Sequence, residues 1–147
     1  MDDEAEEHAG AGLVLLSWAG TGVFAAAATI ATLLPDEAAR PAAVVDGALF
    51  VVGVVTFLWA YGIAVGRSRT DAIGIGGLFF LSGSAPRVVR IRLRAALAAQ
   101  IVIAVVSASI RPYTAVAFGI LVPMFGLGLM GLWGARHGEF PPRDAPG

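Results

Sequence analysis

The chain has 147 residues, of which 57% are hydrophobic and only 14% are charged. Soluble domains are roughly 45–50% apolar and about 25% charged, so this composition argues against a soluble globular protein and excludes disorder for most of the chain. The net charge is −1 and no cysteine is present, which excludes disulfides and thiolate chemistry. The two histidines are in opposite tails. We therefore expect no metal site and no cofactor.

The N-terminal segment is strongly acidic. Its first ten residues contain five acidic side chains and no arginine. A secretory signal peptide begins with a positively charged region, so we expect the first apolar run to be retained as a membrane anchor. Residues 1–11 are interpreted as an acidic cytoplasmic tail and residues 12–34 as the first membrane span, which is long enough to cross a core of about 30 Å. Pro35 and the two acids after it are interpreted as the end of that span.

A short loop, PDEAARPAA, is predicted between the first span and a second span over residues 44–66. Asp46 then lies near the start of the second helix. Aspartate is favoured there because it caps the helix and interacts well with the helix dipole. Capping, with Arg40 as an available partner in the loop, is preferred over an intramembrane proton site.

Residues 72–85 form an apolar stretch that is too short to cross a membrane comfortably and contains four glycines. We predict an interfacial or re-entrant segment here. A helix-start signal follows at Pro86, and the third span is predicted over residues 86–110. Gln100 is the most polar residue in the interior of this span, and Ser107 lies on the same face. Both are expected to form hydrogen bonds between helices.

Four arginines occupy the first turns of the third predicted helix. The spacing of Arg87, Arg90 and Arg94 places them on one face, whereas Arg92 points elsewhere. At a membrane surface each arginine contributes about 1 kcal/mol of attraction to anionic lipid. We interpret the cluster chiefly as a topology signal, with a specific anionic-lipid site or a docking surface for an acidic partner as the alternatives.

The fourth span is predicted over residues 115–135, followed by a Pro-rich cytoplasmic tail over residues 136–147 that should be extended or disordered. Pro123 falls in the middle of this span, where it removes a backbone hydrogen bond and is expected to kink the helix. Residues Gly126 to Gly131 spell G-x-G-x-x-G. They lie inside an apolar run and not between a strand and a helix, so we do not predict a dinucleotide site.

Glycines at helix-packing spacing occur in the second and fourth predicted spans. Gly62 and Gly66 are four residues apart, and Gly128, Gly131 and Gly134 recur every three residues. Small residues at such spacings let helix backbones approach each other closely in lipid. Both sets are interpreted as helix–helix interfaces, either within the monomer or toward an oligomer or partner.

The arginines are distributed unevenly between the two sides of the predicted spans. Eight lie in the loop between the second and third spans or in the C-terminal tail, whereas Arg40 and Arg111 lie in the opposite loops. The positive-inside rule therefore predicts a multi-pass protein of the bacterial cytoplasmic membrane with both termini cytoplasmic. The basic residues lack interleaved aromatics, so no nucleic-acid partner is predicted.

The C-terminal part of the chain contains three short sequences, RPY at 111–113, GLWGARHG at 131–138 and FPPR at 140–143. With them, this part resembles small four-span membrane proteins of actinobacteria whose function is unknown. The resemblance implies an inner-membrane location in a GC-rich bacterium. It implies no catalytic residue.

The predicted fold is an all-α membrane protein, a four-helix transmembrane bundle over residues 12–135. The sequence contains no Ser-His-Asp set, no paired catalytic carboxylates and no metal constellation, so we expect no catalytic residues. The leading expectation is a non-catalytic accessory or scaffolding subunit of an inner-membrane complex. It would contact membrane lipids and either its own copies or a larger membrane protein. The alternative is a small oligomeric transporter or channel with a path near Gln100, Ser107 and Pro123, and a lipid-acting membrane enzyme is a weaker one.

Overall fold

The structure, a computed structural model, describes residues 10–143 of the chain. Regular structure in these residues is helical, apart from one isolated bridge between Asp71 and Pro142. The helices are, in chain order, α1 Ala11–Leu33, α2 Pro35–Arg67, α3 Ile75–Phe79, α4 Arg87–Ile110, a 3₁₀ helix Ala115–Leu121, and α5 Pro123–His137.

Four helical stretches are long and apolar enough to cross a membrane, namely α1, α2, α4 and the combined stretch Ala115–His137. Each has at least 23 residues, and about 20 apolar residues suffice for a crossing. The chain is therefore a multi-pass, all-α membrane protein built as a four-helix bundle, as its hydropathy predicts. The combined stretch is the central one, because 56% of its most apolar window is buried, against 17% for α2.

The connection between α1 and α2 differs from the predicted loop. α2 begins at Pro35, and Leu34 alone separates it from α1. Proline is favoured in the first helical turn, where its missing N–H is not needed, and Asp36 and Glu37 stabilise the positive end of the helix dipole. The segment PDEAARPAA therefore forms the first turns of α2, with Pro41 inside the helix.

The fourth predicted span is a 3₁₀ helix followed by an α-helix and not one continuous α-helix. The 3₁₀ helix ends at Leu121, Val122 follows, and Pro123 is the first residue of α5. Proline suits this position for the same reason as at the start of α2. Pro123 therefore lies at the change from 3₁₀ to α-helical geometry within this span and not in the middle of one α-helix, and the kink there stays a prediction.

Apolar side chains fill the bundle in successive clusters along its length. The cluster nearest the junction of α1 and α2 contains Ala31, Ala42 and Val116. The next one contains Phe24, Ala28, Ala104 and Val122. Toward the other end, α3 and the segment after it join α2, α4 and α5, and the buried residues there include Leu78, Phe79, Leu81, Leu132 and Trp133.

The short helix α3 packs against the last turns of α5. Its buried residues Leu78 and Phe79 contact Gly134 and Gly131, and Leu81, just after the helix, is fully buried with a φ of 54°. The segment that the sequence predicts to be interfacial or re-entrant is thus folded onto the end of the bundle at which α5 terminates.

The chain after α5 is extended and hydrogen-bonded to the segments that flank α3. The Glu139 N–H donates to the Ser84 carbonyl at 2.9 Å, and the Arg143 N–H donates to the Thr70 carbonyl at 2.8 Å. The predicted acidic tail, apart from its last two residues, and the last four residues of the chain lie outside the described residues.

Candidate functional site

Gln100 links three helices at the break in the fourth span. Its side chain is fully buried, and its Nε2 donates to Thr21 Oγ1 at 2.8 Å. Its Oε1 accepts the Gly126 N–H at 3.1 Å. Gly126 lies in the first turn of α5, where backbone N–H groups lack intrahelical acceptors, so Gln100 caps a helix end that water does not reach. Both polar atoms of Gln100 are therefore paired, and it joins α1, α4 and α5.

Ser107 lies two helical turns further along α4 and is also buried. Its hydroxyl donates to the Ala104 carbonyl of its own helix at 3.2 Å, and not across to a neighbouring helix. Ser107 also borders a groove of about 340 Å³ between α1 and α4, together with Thr29 and Thr32, so the predicted path near Gln100 and Ser107 stays a prediction.

The glycines of α5 are used inside the monomer. A Cβ at Gly128 would collide with the Gly53 carbonyl, one at Gly131 with the Phe79 ring, and one at Gly134 with the Leu78 carbonyl. The close approach of α5 to α2 and α3 therefore depends on these three glycines. These three glycines therefore lie at contacts between helices of the same chain.

Gly62 and Gly66 have a different environment. Both are exposed on the outward face of α2, and a Cβ built at either position meets no atom within 4 Å. No contact among the described residues uses the missing side chains. The outward face of α2 near Gly62 and Gly66, which also carries the exposed residues Leu58 and Val65, is called here the α2 face.

Eight arginines gather at one end of the bundle, because α2 ends, α4 begins and α5 ends there. We call this the Arg-rich end, and it comprises Arg67, Arg69, Arg87, Arg90, Arg92, Arg94, Arg136 and Arg143. At the opposite end Arg111 donates to the Thr32 carbonyl, near the end of α1. The uneven distribution predicted from the loops is thus a property of the folded chain.

Arg67 organises the Arg-rich end, a role the sequence analysis missed. Its guanidinium donates to the carbonyls of Ala135 at 2.9 Å and Gly138 at 3.1 Å, and it forms a 2.8 Å ion pair with Asp71. Cationic groups stabilise the carbonyl end of a helix. Arg67 therefore fixes the end of α5 and the start of the extended tail, and its position at the end of an apolar run is the one sequence signal for this.

The predicted arginine cluster divides in two. The Arg94 guanidinium donates to the Phe80 carbonyl at 2.8 Å and to Ser82 Oγ at 3.0 Å, so it holds the segment after α3. Within residues 10–143, the side chains of Arg87, Arg90 and Arg92 take part in no hydrogen bond or ion pair. No carboxylate in that range neutralises these three guanidinium groups.

Arg92 also borders an apolar groove between α1 and α4. The groove has a volume of about 490 Å³ and is lined by Ala11, Val14, Leu15, Trp18, Val89 and Arg92. This groove matches the chemistry of a phospholipid, because its apolar lining suits an acyl chain and the Arg92 guanidinium at its edge suits a phosphate.

Asp46 lies in the interior of α2 and not at its start. It is eleven residues beyond Pro35, only 2% of it is exposed, and its Oδ1 has no hydrogen-bond partner. The predicted capping role is therefore wrong. Pro35 followed by two acids is compatible with the start of a helix as well as with the end of one. A helix that starts at Pro35 places Asp46 in its interior, so this pattern is the sequence signal for the position of Asp46.

No metal-binding cluster is assembled in the part of the chain that the structure describes. Residues 10–143 contain no group of three or more His, Asp or Glu side chains placed to hold a metal ion. A cavity of about 380 Å³ at the Arg-rich end is bordered by Ser84, His137 and Glu139. The Ser84 hydroxyl donates to the Gly77 carbonyl of the segment that contains α3.

No protein-family model, no curated protein and no solved structure matches this chain.

Proposed function

We propose that this protein is a non-catalytic accessory subunit of a larger complex in a bacterial cytoplasmic membrane, with both termini cytoplasmic. It binds a larger membrane protein through the α2 face. The observation that carries the proposal is the open environment of Gly62 and Gly66, in contrast to the packed glycines of α5.

The contrast has an energetic meaning. A glycine in a helix interior is less favourable than alanine by about 1 kcal/mol. At Gly128, Gly131 and Gly134 close packing against α2 and α3 offsets this penalty. At Gly62 and Gly66 nothing in the described monomer offsets it. A second transmembrane helix packed on the α2 face would do so, because glycines four residues apart permit close contact of two helix backbones.

The charge at the Arg-rich end favours a different protein over a second copy as the partner. Copies inserted in the same orientation and packed through Gly62 and Gly66 would bring their exposed Arg69 side chains toward each other, and juxtaposed like charges oppose association. A partner with acidic residues beside its transmembrane helix would instead complement Arg69 and the guanidinium groups of Arg87, Arg90 and Arg92.

Anionic phospholipid is the second expected contact. Arg87, Arg90 and Arg92 are unpaired within residues 10–143, and the apolar groove beside Arg92 can hold part of an acyl chain. Three arginines at a membrane surface would contribute about 3 kcal/mol of attraction to anionic lipid, at about 1 kcal/mol each. Such lipid would also surround the partner at the Arg-rich end.

The experiment purifies the affinity-tagged chain from its own membranes in mild detergent. We expect a stoichiometric membrane protein to accompany wild type and to be lost from Gly62→Leu and Gly66→Leu. The matched control is Gly22→Leu on α1, which is equally exposed and open, and should retain the partner. A wild-type chain that purifies alone, or a complex that survives both α2 substitutions, contradicts the proposal. If the purified complex contains only copies of this chain, the partner at the α2 face is a second copy and not a larger membrane protein.

A further inference from the structure

Asp46 is a carboxyl group enclosed by apolar layers on both sides along the bundle. On one side is the cluster of Ala31, Ala42 and Val116, and on the other is the cluster that contains Phe24 and Val122. Ala42 precedes Asp46 by one turn of α2, and Leu49, which packs on the second cluster, follows it by about one turn. Asp46 is thus separated from both ends of the bundle, and only 2% of it is exposed.

The immediate surroundings of Asp46 offer space but no counter-charge. A Cβ at Gly119 would lie 3.5 Å from Asp46 Oδ2 and 3.0 Å from the Phe24 ring, so the absence of a side chain at Gly119 gives room to both groups. Oδ1 has no hydrogen-bond partner. The carboxyl group and the Phe24 ring therefore both lie close to Gly119 of the 3₁₀ helix.

No titratable group faces Asp46 from the helices around it. α1 contains no charged residue, α4 contains none after Arg94, and the 3₁₀ helix and α5 contain none before Arg136. On α2 itself the nearest charged residue, Arg40, is exposed and precedes Asp46 by six residues, so it lies on another side of the helix. The one ion pair among the described residues, Arg67–Asp71, is at the Arg-rich end.

We propose that Asp46 is an intramembrane proton-binding site, at which the carboxyl group carries a proton while the bundle is folded. An ionised carboxylate buried without a cation or hydrogen-bond donor is strongly unfavourable, and in a membrane such a residue is typically neutral or functional. The neutral acid removes that penalty. The ligand of this site is a proton, and its binding does not depend on the partner proposed for the α2 face.

Proton binding at Asp46 links folding to pH with a definite sign. The folded chain holds one proton at Asp46, whereas in the unfolded chain this carboxyl group meets water and is ionised near neutral pH. The folded state thus binds more protons, and stability falls as the pH rises. One such proton lowers the ratio of folded to unfolded chain by up to about tenfold for each pH unit.

Infrared spectroscopy of the purified chain near neutral pH tests the proposal directly. The carbonyl band of a protonated carboxylic acid is assigned to Asp46 if the Asp46→Asn substitution removes it. We expect the band in wild type, its loss in Asp46→Asn, and its retention in Asp36→Asn, which changes an exposed aspartate of the same helix. Absence of the band from wild type, or its persistence in Asp46→Asn, overturns the proposal.

Unfolding of the chain in mixed micelles gives an independent measurement if Asp46→Asn is poorly folded in one detergent. From about pH 4, where the unfolded aspartate ionises, we expect wild type to lose stability relative to Asp46→Asn as the pH rises, by at most about tenfold per pH unit and until Asp46 ionises in the folded chain. Asp36→Asn should follow wild type. Equal pH dependence of wild type and Asp46→Asn overturns the proposal.

Discussion

The side chain of Gln100 shows how this bundle tolerates a helix that starts inside it. The first N–H groups of an α-helix have no intrahelical acceptor, and hydrocarbon offers none. α5 begins at Pro123, which has no N–H to satisfy, and the Gly126 N–H is accepted by Gln100 Oε1. Gln100 also donates to Thr21, which in turn donates to the Ser17 carbonyl. The polar cluster therefore has a structural purpose, which accounts for a glutamine in an otherwise apolar helix.

Replacement of Gln100 by leucine tests this structural role. Gln100→Leu leaves the Gly126 N–H without an acceptor, and a buried polar group without its partner typically costs about 1–3 kcal/mol. We expect the free energy of unfolding in detergent to fall by about that amount. Ser109→Ala is the control, because Ser109 is exposed on the same helix and bonds only to the Val105 carbonyl of its own helix. An unchanged stability of Gln100→Leu would show that the capping contact is unimportant.

At the scale of helices, glycines divide into those that bring two elements together and those that do not. Gly128 lies against the Gly53 carbonyl and Thr56 Oγ1, so a methyl group there forces α5 away from α2. Gly128→Ala should therefore destabilise the chain by about 1–3 kcal/mol, the usual range for overpacking. Gly62→Ala meets no atom and should be neutral or stabilising by up to about 1 kcal/mol, because alanine is the better helix former.

Thermal unfolding of the two alanine variants in the same detergent measures this contrast. The detergent-solubilised chain without its partner is the appropriate sample, because the α2 face is then free in both variants. A loss of stability in Gly62→Ala as large as that in Gly128→Ala would mean that the α2 face is packed in the isolated chain.

The four apolar helices and the gathering of arginines at one end were predictable from the sequence, because hydropathy and charge act over long segments. The roles of Pro35 and Pro123 were not. A proline is compatible with the end of one helix and with the first turn of the next, and only the hydrogen bonding of the residues around it distinguishes the two. The misplacement of Asp46 follows from this, since an α2 that starts at Pro35 contains Asp46 in its interior.

The packing of glycines and polar side chains also lay beyond the sequence. The spacing of Gly62 and Gly66 resembles that of Gly131 and Ala135, yet one pair is open and the other is buried. The neighbouring helices determine which face of a membrane helix points inward. Both faces are apolar, so the hydrophobic pattern of the sequence does not identify the inward face. The partner of Gln100 was undetermined for the same reason.

At the scale of the whole molecule, arginine is concentrated at the Arg-rich end, which has eight of the ten, whereas Arg40 and Arg111 lie at the other end. Arg67 and Arg143 fix the C-terminal tail to the segment after α2, through bonds to Gly138 and Ser68 respectively. The end of α5, the loop before α4 and the tail therefore stay on one side of the membrane as a unit. Together with the last residue of α2 and the first turns of α4, they contain the eight arginines of the Arg-rich end, from which the positive-inside rule predicts the orientation of the chain.

The chain lacks cysteine, so single-cysteine variants report this orientation without background. Tyr113→Cys lies at the fully exposed turn between α4 and the 3₁₀ helix, and Arg69→Cys lies in the exposed turn after α2. We expect a membrane-impermeant maleimide added to intact cells to label Tyr113→Cys and to label Arg69→Cys only after the membrane is opened. Seven arginines remain at the Arg-rich end in the second variant, so the substitution preserves the charge asymmetry that sets the orientation. Labelling of Arg69→Cys in intact cells, with protection of Tyr113→Cys, would show that the chain has the opposite orientation in the membrane. It would also place the proposed partner's acidic residues on the outer side.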